Sequence, residues 1–203
     1  MQNEDQLTEL VKQRKGRMVF MLMVIFFVVP IFVVLLMYKL NWKPSGTSLG
    51  ELVSPPRHLT VPIGLKDSDG VLIPSGLWND KWSIVYITGT CEKTCWNRLR
   101  DMRQLHVSLY KDIPRAQRVL ITTSLDVTSI KRDFPDLIII NTPLINMPEL
   151  SKQFNTNGED LLLSNRFYLV DSLGYLMMTY KPSLPLSDVR KDITHLLRYS
   201  WAG

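Results

Sequence analysis

Apolar and polar positions follow three regimes along the chain. From Met18 to Tyr38 no side chain is charged and nearly all are apolar. At the helical rise this run is about 32 Å long, enough to cross a hydrocarbon core, so a transmembrane helix is expected over residues 18–38. Pro30 near its middle is tolerated in lipid and is expected to bend the span. The residues after it, Tyr38-Lys39-Leu40-Asn41-Trp42-Lys43, offer no small-x-small cleavage site, so the run reads as an uncleaved anchor. Residues 39–60 carry Pro44, Gly46, Gly50, Pro55 and Pro56 with little apolar periodicity and are expected to form a tether.

From residue 61 to 203 the pattern changes to short apolar runs alternating with helical periodicity. Val61–Leu65 and Val71–Ile73 flank Lys66-Asp67-Ser68-Asp69-Gly70 and predict a small edge ribbon. Trp82–Thr88 is a nearly continuous β-prone run. It is followed by Gly89-Thr90-Cys91 and by a helical face of Trp96, Leu99, Met102, Leu105 and Leu109. Val119–Thr122 predicts the next strand, Asp126 caps a short helix to Phe134, and Leu137–Ile140 is another buried strand. Pro148 starts a short helix to Phe154, and two strands, Arg166–Val170 and Tyr175–Tyr180, form a hairpin around Asp171-Ser172-Leu173-Gly174. A last helix is expected to open at the cap Ser187 and to bury Val189, Ile193, Leu196 and Leu197. A parallel βαβ half, then an antiparallel hairpin and a closing helix, is the order of a thioredoxin-like α/β/α sandwich with a mixed central sheet.

Composition changes this picture in two ways. Hydrophobic residues at 45% and charged residues at 21% exclude a disordered chain. Lys plus Arg number 24 against 19 Asp plus Glu, but Lys12, Arg14, Lys15 and Arg17 precede the apolar run and set topology instead of forming a ligand surface. They outweigh Lys39 and Lys43 on the far side, so the N-terminus, residues 1–17, is expected in the cytoplasm and the bulk of the chain outside it, with Tyr38 and Trp42 at the interface. No dense cationic stripe with interleaved aromatics follows, so no nucleic-acid partner is expected. The sequence has no Walker A loop, no GxGxxG and no His/Asp/Glu cluster at metal-ligand spacing.

The candidate chemistry lies in the two cysteines, Cys91 and Cys95. Cys91 falls where a buried strand ends and a helix begins, so the helix dipole and unpaired backbone N–H groups favour its thiolate, with Lys93 and Arg98 adding positive charge and Glu92 opposing them. Cys95 follows one turn later on the same face, within reach of a disulfide. Three readings fit the pair: a redox couple with Cys91 as nucleophile and Cys95 resolving, a two-thiolate Cu(I) site, or a structural bridge closing a very small loop. His106 lies about 16 Å further along the helix, too far to join the same ion. His195 is expected to pack or face solvent, and His58 to belong to the tether. Of the aromatics near the turn, two of Trp78, Trp82 and Trp96 are expected in the core. Met177 and Met178 face opposite sides of their strand, and Arg98, Arg100 and Arg103 are expected on a solvated face with Asp101 pairing one of them.

The membrane anchor, the strand and the following C-x-x-x-C resemble the Sco/SenC family of thioredoxin-like cytochrome c oxidase assembly proteins. The stretches Gly50–Arg57, Cys91–Cys95 and Tyr168–Met178 are similar to a group of bacterial membrane-anchored proteins linked to cytochrome oxidase biogenesis, over most of residues 50–200. The resemblance implies a single-pass protein of the bacterial inner membrane with its N-terminus cytoplasmic and its C-terminal domain periplasmic. It implies thiol–disulfide or Cu(I) handling by Cys91 and Cys95, with a cytochrome c oxidase subunit or its copper chaperone as partner. A non-catalytic scaffold with a degenerate fold is the alternative. The sequence departs from the family in three places. Leu161-Leu162-Leu163-Ser164-Asn165-Arg166 contains no ligand histidine, Trp96 replaces the proline after the second cysteine, and no proline lies between Asn157 and Phe167 to supply a cis-proline.

Overall fold

A computed structural model describes residues 2–40, 48–62, 64–124, 126–141, 147–156 and 158–200. The chain divides into two compact units, Met1–Thr47 and Ser48–Gly203. In the first, helix α1 runs from Gln2 to Lys39, unbroken through Pro30. Its Arg14–Lys39 stretch is long and apolar enough to cross a membrane, and its side chains from Met18 to Leu36 are exposed, as a lipid-facing surface requires. Residues 41–47, with Trp42 and the first part of the expected tether, lie outside the described residues.

The second unit is built on a mixed six-stranded sheet. Its strands are β1 (Glu51–His58), β2 (Trp82–Thr88), β3 (Ala116–Thr122), β4 (Ile138–Asn141), β5 (Phe167–Val170) and β6 (Tyr175–Tyr180), in spatial order β1-β6-β5-β2-β3-β4. β2, β3 and β4 are parallel, whereas β5, β6 and β1 join antiparallel. Helices α2 (Lys93–Val107), α3 (Thr128–Asp133) and α5 (Leu186–Tyr199) cover one face, and α4 (Met147–Phe154) with the segment before β2 covers the other. This is the expected α/β/α sandwich.

Burial follows from position in the sheet. β2 is flanked on both edges and covered on both faces, so all of its residues are buried. Trp82, Ile84 and Tyr86 pack under α2 and α5 with Leu99, Met102, Leu105, Val189, Ile193 and Leu197, while Val85 and Ile87 meet Leu150 and Phe154 of α4. Each such aliphatic side chain stabilises the fold by roughly 1.5–3 kcal/mol. Trp78 and Trp82 are core residues, and Trp96 is half-buried against Phe134. Met178 is buried, whereas Met177 is only partly so.

Two expectations are corrected here. Residues 51–58, read as tether, form an edge strand paired with β6, from Glu51 opposite Thr179 to His58 opposite Tyr175. The ladder is irregular between Leu52 and Arg57, where Pro55 and Pro56 have no N–H to donate, and an edge position tolerates that loss. The last helix begins at Leu186 with Pro185, not Ser187, at its cap position, because the extended backbone of the proline turns directly into the first helical residue. The ribbon expected from Val61–Leu65 and Val71–Ile73 forms over a shorter span: Lys66 bridges Leu72, Asp67 N–H donates to the Val71 carbonyl and Ile73 N–H to that of Leu65, and Ser68 N–H donates to the Ile139 carbonyl on the edge of β4.

Candidate functional site

β2 ends at Thr88, and α2 begins at Lys93, so Cys91 sits in the connecting turn and Cys95 in the first helical turn. The turn is held from two sides. Thr122 Oγ1 of the neighbouring strand donates to the Gly89 carbonyl at 2.8 Å, and Thr88 Oγ1 donates to the Thr90 carbonyl at 3.2 Å. Cys91 and Cys95 are joined by a disulfide with their Cα atoms 5.0 Å apart. Their exposure differs. Cys95 is 2% exposed and belongs to the core with Leu99 and Phe167, whereas Cys91 is only partly buried at its rim.

Beside the disulfide lies an open cleft of about 420 Å³, whose walls include Thr90, Glu92, Cys95, Asp160, Leu162 and Asn165. Asn165 lies two residues before the start of β5 and has a φ of 52°, a left-handed conformation that asparagine tolerates better than most residues. Its side chain is fixed on both ends. The Tyr86 hydroxyl donates to its Oδ1 at 2.8 Å, and its Nδ2 donates to the Leu163 carbonyl at 3.0 Å. Burial raises the Tyr86 pKa, so the phenol stays a proton donor at this bond. The next residue, Arg166, is 4% exposed and binds Glu159 through Nε and Nη2, at 2.8 Å each, and Glu51 through Nη1 at 2.7 Å. It thereby ties the cleft wall to β1.

Arg98 is not on a solvated face. It is 7% exposed, with its guanidinium carbon 3.6 Å from the centre of the Phe167 ring and Nη1 3.3 Å from Asp101. Spaced three residues after Cys95 and four before Met102, it lies within the buried stripe of α2, and the aromatic face and Asp101 compensate its charge. Burial lowers its pKa, with Asp101 and Tyr86 opposing that shift. A buried cation therefore lies in the same core as Cys95, along with Tyr86 and Phe167.

A family model described as the transmembrane-like, thioredoxin-like, C-terminal domain matches residues 82–200. The chain belongs to this family. Among solved structures, the fold is similar to that of Arabidopsis thaliana ScoI with copper bound, at 16% identity and a TM-score of 0.57, covering 73% of this chain and 99% of that one. Yeast Sco1 is similar at 19% identity and a TM-score of 0.57, over 73% of this chain and 99% of its own. So is BsSco, described as a member of the Sco family of cytochrome c oxidase assembly proteins with a disulfide switch, at 16% identity and a TM-score of 0.52, over 75% and 97%. These identities establish a shared fold, the one the Sco/SenC resemblance implied. No curated protein matches the sequence.

Within this thioredoxin-like frame the structure brings the two cysteines together and leaves the histidines apart from them. His58 packs edge-on against Tyr175, His106 Nε2 lies 3.0 Å from the Ala116 carbonyl oxygen, and His195 packs at a tilt against Tyr199. Among the described residues no group of three or more His, Cys, Asp or Glu side chains is arranged to hold a metal. Glu92 and Lys93 are exposed at the mouth of the turn. Sequence reasoning missed Asn165 and Tyr86. A lone asparagine before a strand carries no distinctive pattern, and Tyr86 reads as one more apolar position in β2.

Proposed function

We propose that this chain is a membrane-anchored thiol–disulfide protein that supports cytochrome c oxidase assembly from the periplasmic face of a bacterial inner membrane. The asymmetry of the cysteine pair carries this reading. Cys91 is partly exposed in the turn before α2, whereas Cys95 is 2% exposed, as befits an attacking and a resolving sulfur. In the reduced protein the Cys91 thiolate attacks a partner disulfide, and one partner sulfur leaves as thiolate, forming a mixed disulfide. Cys95 then attacks the Cys91 sulfur and releases the second partner thiol. The partner gains two electrons, the protein ends as the Cys91–Cys95 disulfide, and a dithiol donor must reduce it for another cycle.

Support comes from the disulfide switch and oxidase-assembly role in the description of BsSco, and from a helix suited to anchoring. In this reading residues 1–17 are cytoplasmic, residues 18–38 span the membrane, and the globular part begins near Ser48 with β1, earlier than residue 61. The partner is a cytochrome c oxidase subunit or its copper chaperone.

A second reading is favoured by the copper-bound state of the Arabidopsis neighbour. Once reduced, Cys91 and Cys95 supply two soft thiolates, which suits Cu(I) as a two-coordinate cargo. The described residues bring no third ligand to them, so thiol exchange is the primary reading. The test is oxidase activity in a host lacking the gene. Cys91→Ser is expected to fail to restore it, and full restoration by a Cys91→Ser, Cys95→Ser double variant would contradict both readings and leave a scaffold.

A further inference from the structure

The outer side of α5 has a character of its own. The helix buries Val189, Ile193 and Leu197 and turns Arg190, Lys191, His195 and Arg198 to solvent around a shallow depression. One carboxylate on this side offsets them, Asp188, 2.9 Å from Lys191. Asp192 does not, because it is buried and its Oδ2 accepts from Leu49 N–H and Gly50 N–H at 2.8 Å each and from Ser48 Oγ at 3.2 Å. Two exposed aromatics border the face: Tyr199, 67% exposed, and Tyr110, 72% exposed beneath the Arg190 guanidinium. Cations with flanking tyrosines are what a surface contacting phospholipid headgroups presents.

The path of the chain supplies the occupant. The Asp192 bonds fasten the first residues of the globular unit to α5 itself. Only residues 40–47 separate Ser48 from the end of α1 at Lys39, a reach of at most about 30 Å when fully extended. The membrane is therefore within tether length of a helix whose free face is cationic. Arginine side chains bind phosphate oxygens through paired N–H donors, and a confined patch of this kind meets a charged surface at high effective concentration. We propose that the Arg190, Lys191, His195 and Arg198 face of α5 docks on the anionic phospholipid headgroups of the membrane that anchors the chain. The proposal rests on the anchoring part of the functional reading and is independent of the cysteine chemistry.

The experiment uses the full chain in lipid nanodiscs, with bimane attached at Thr194→Cys in the middle of the face while Cys91 and Cys95 remain disulfide-bonded. A second label at Ser75→Cys, in the segment covering the opposite sheet face, serves as control. Incorporation into discs reports the anchor, and acrylamide quenching reports the face, so the two can fail separately. Replacing half of the phosphatidylcholine by phosphatidylglycerol is expected to shield the Thr194 label and not the Ser75 label. Each cation near an anionic surface contributes roughly a fivefold preference for the docked state, so Arg190→Glu with Arg198→Glu should lower the docked-to-free ratio by about 25-fold or more. About 0.5 M NaCl should act in the same direction. Equal quenching in the two kinds of disc, or shielding insensitive to salt and to the double variant, overturns the proposal. Shielding in native membranes that pure lipid does not reproduce also overturns it, assigning the face to an acidic protein partner.

Discussion

Cys91 and Cys95 differ by position alone, and that difference makes a directional expectation. With a partner in its disulfide form, Cys95→Ser should accumulate a mixed disulfide through Cys91, visible on non-reducing gels, whereas Cys91→Ser should trap little, because its remaining thiol is 2% exposed when native. Equal trapping by the two variants would contradict the assignment of nucleophile and resolver. Arg98 tests whether its buried charge is needed for stability. Methionine keeps most of its volume and removes both charge and desolvation cost, so Arg98→Met should change stability by less than about 1 kcal/mol. Arg98→Ala leaves a cavity against Phe167 and should cost about 2–4 kcal/mol in denaturant titrations. The burial of Arg98 was legible in principle from its helical phase with Cys95, Leu99 and Met102, but a charged residue in an apolar stripe is ordinarily read as facing outward. The Tyr86–Asn165 bond had no such signal, since it joins residues 79 positions apart through a hydroxyl and an amide.

Among the elements, β2, α2 and the β5–β6 hairpin were readable because their patterns are strong: a continuous apolar run, a helical stripe, and two β-prone segments around a glycine turn. β1 was not. Only Val53 of its eight residues is buried, and two adjacent prolines break its ladder, so nothing in its pattern separates it from a tether. What makes it a strand is tertiary: pairing with β6 along one edge, Asp192 holding its leading residues, and Glu51 bound to Arg166 and Lys181. Asp192→Ala should therefore cost about 1–3 kcal/mol and speed hydrogen exchange near the start of β1 well before that of β2. Unchanged exchange there would show that edge pairing alone fixes the strand. Arg166→Met should lower neutral-pH stability by about 1–2 kcal/mol, the modest size reflecting its partly solvated carboxylate partners. The hydrogen bond and charge of Arg166 hold the Glu159 carboxyl below its ordinary value against the opposing effects of desolvation and Glu51. A depressed carboxylate pKa contributes stability that is full above the unfolded value, near 4.3, and is lost as pH falls through the folded value. The gap between wild type and Arg166→Met should accordingly be widest at neutral pH and close on acidification below about pH 4, as read from urea midpoints.

At the scale of the whole molecule, the Cys91–Cys95 bridge is a poor structural staple. It spans a sequence separation of 4, which limits its chain-entropy contribution to about 2 kcal/mol, against a core that runs on both faces of the sheet. The reduced protein should retain its far-ultraviolet circular dichroism and lose only several degrees in Tm, so both redox states remain available for exchange. Unfolding on reduction would make the bridge structural after all. The fold class was legible at this scale because the order of strands and helices admits few topologies. The cationic face of α5 and the cleft at Asn165 were not, since each depends on which side chains the fold leaves uncovered. The central claim is that Cys91 and Cys95 form a working thiol couple, and their reduction potential in the full-length protein, equilibrated against glutathione and dithiothreitol buffers, tests it most directly. A value above about −300 mV, in the range of exchanging dithiols, is the expected result, and a value below it would mark an inert bridge and contradict the account.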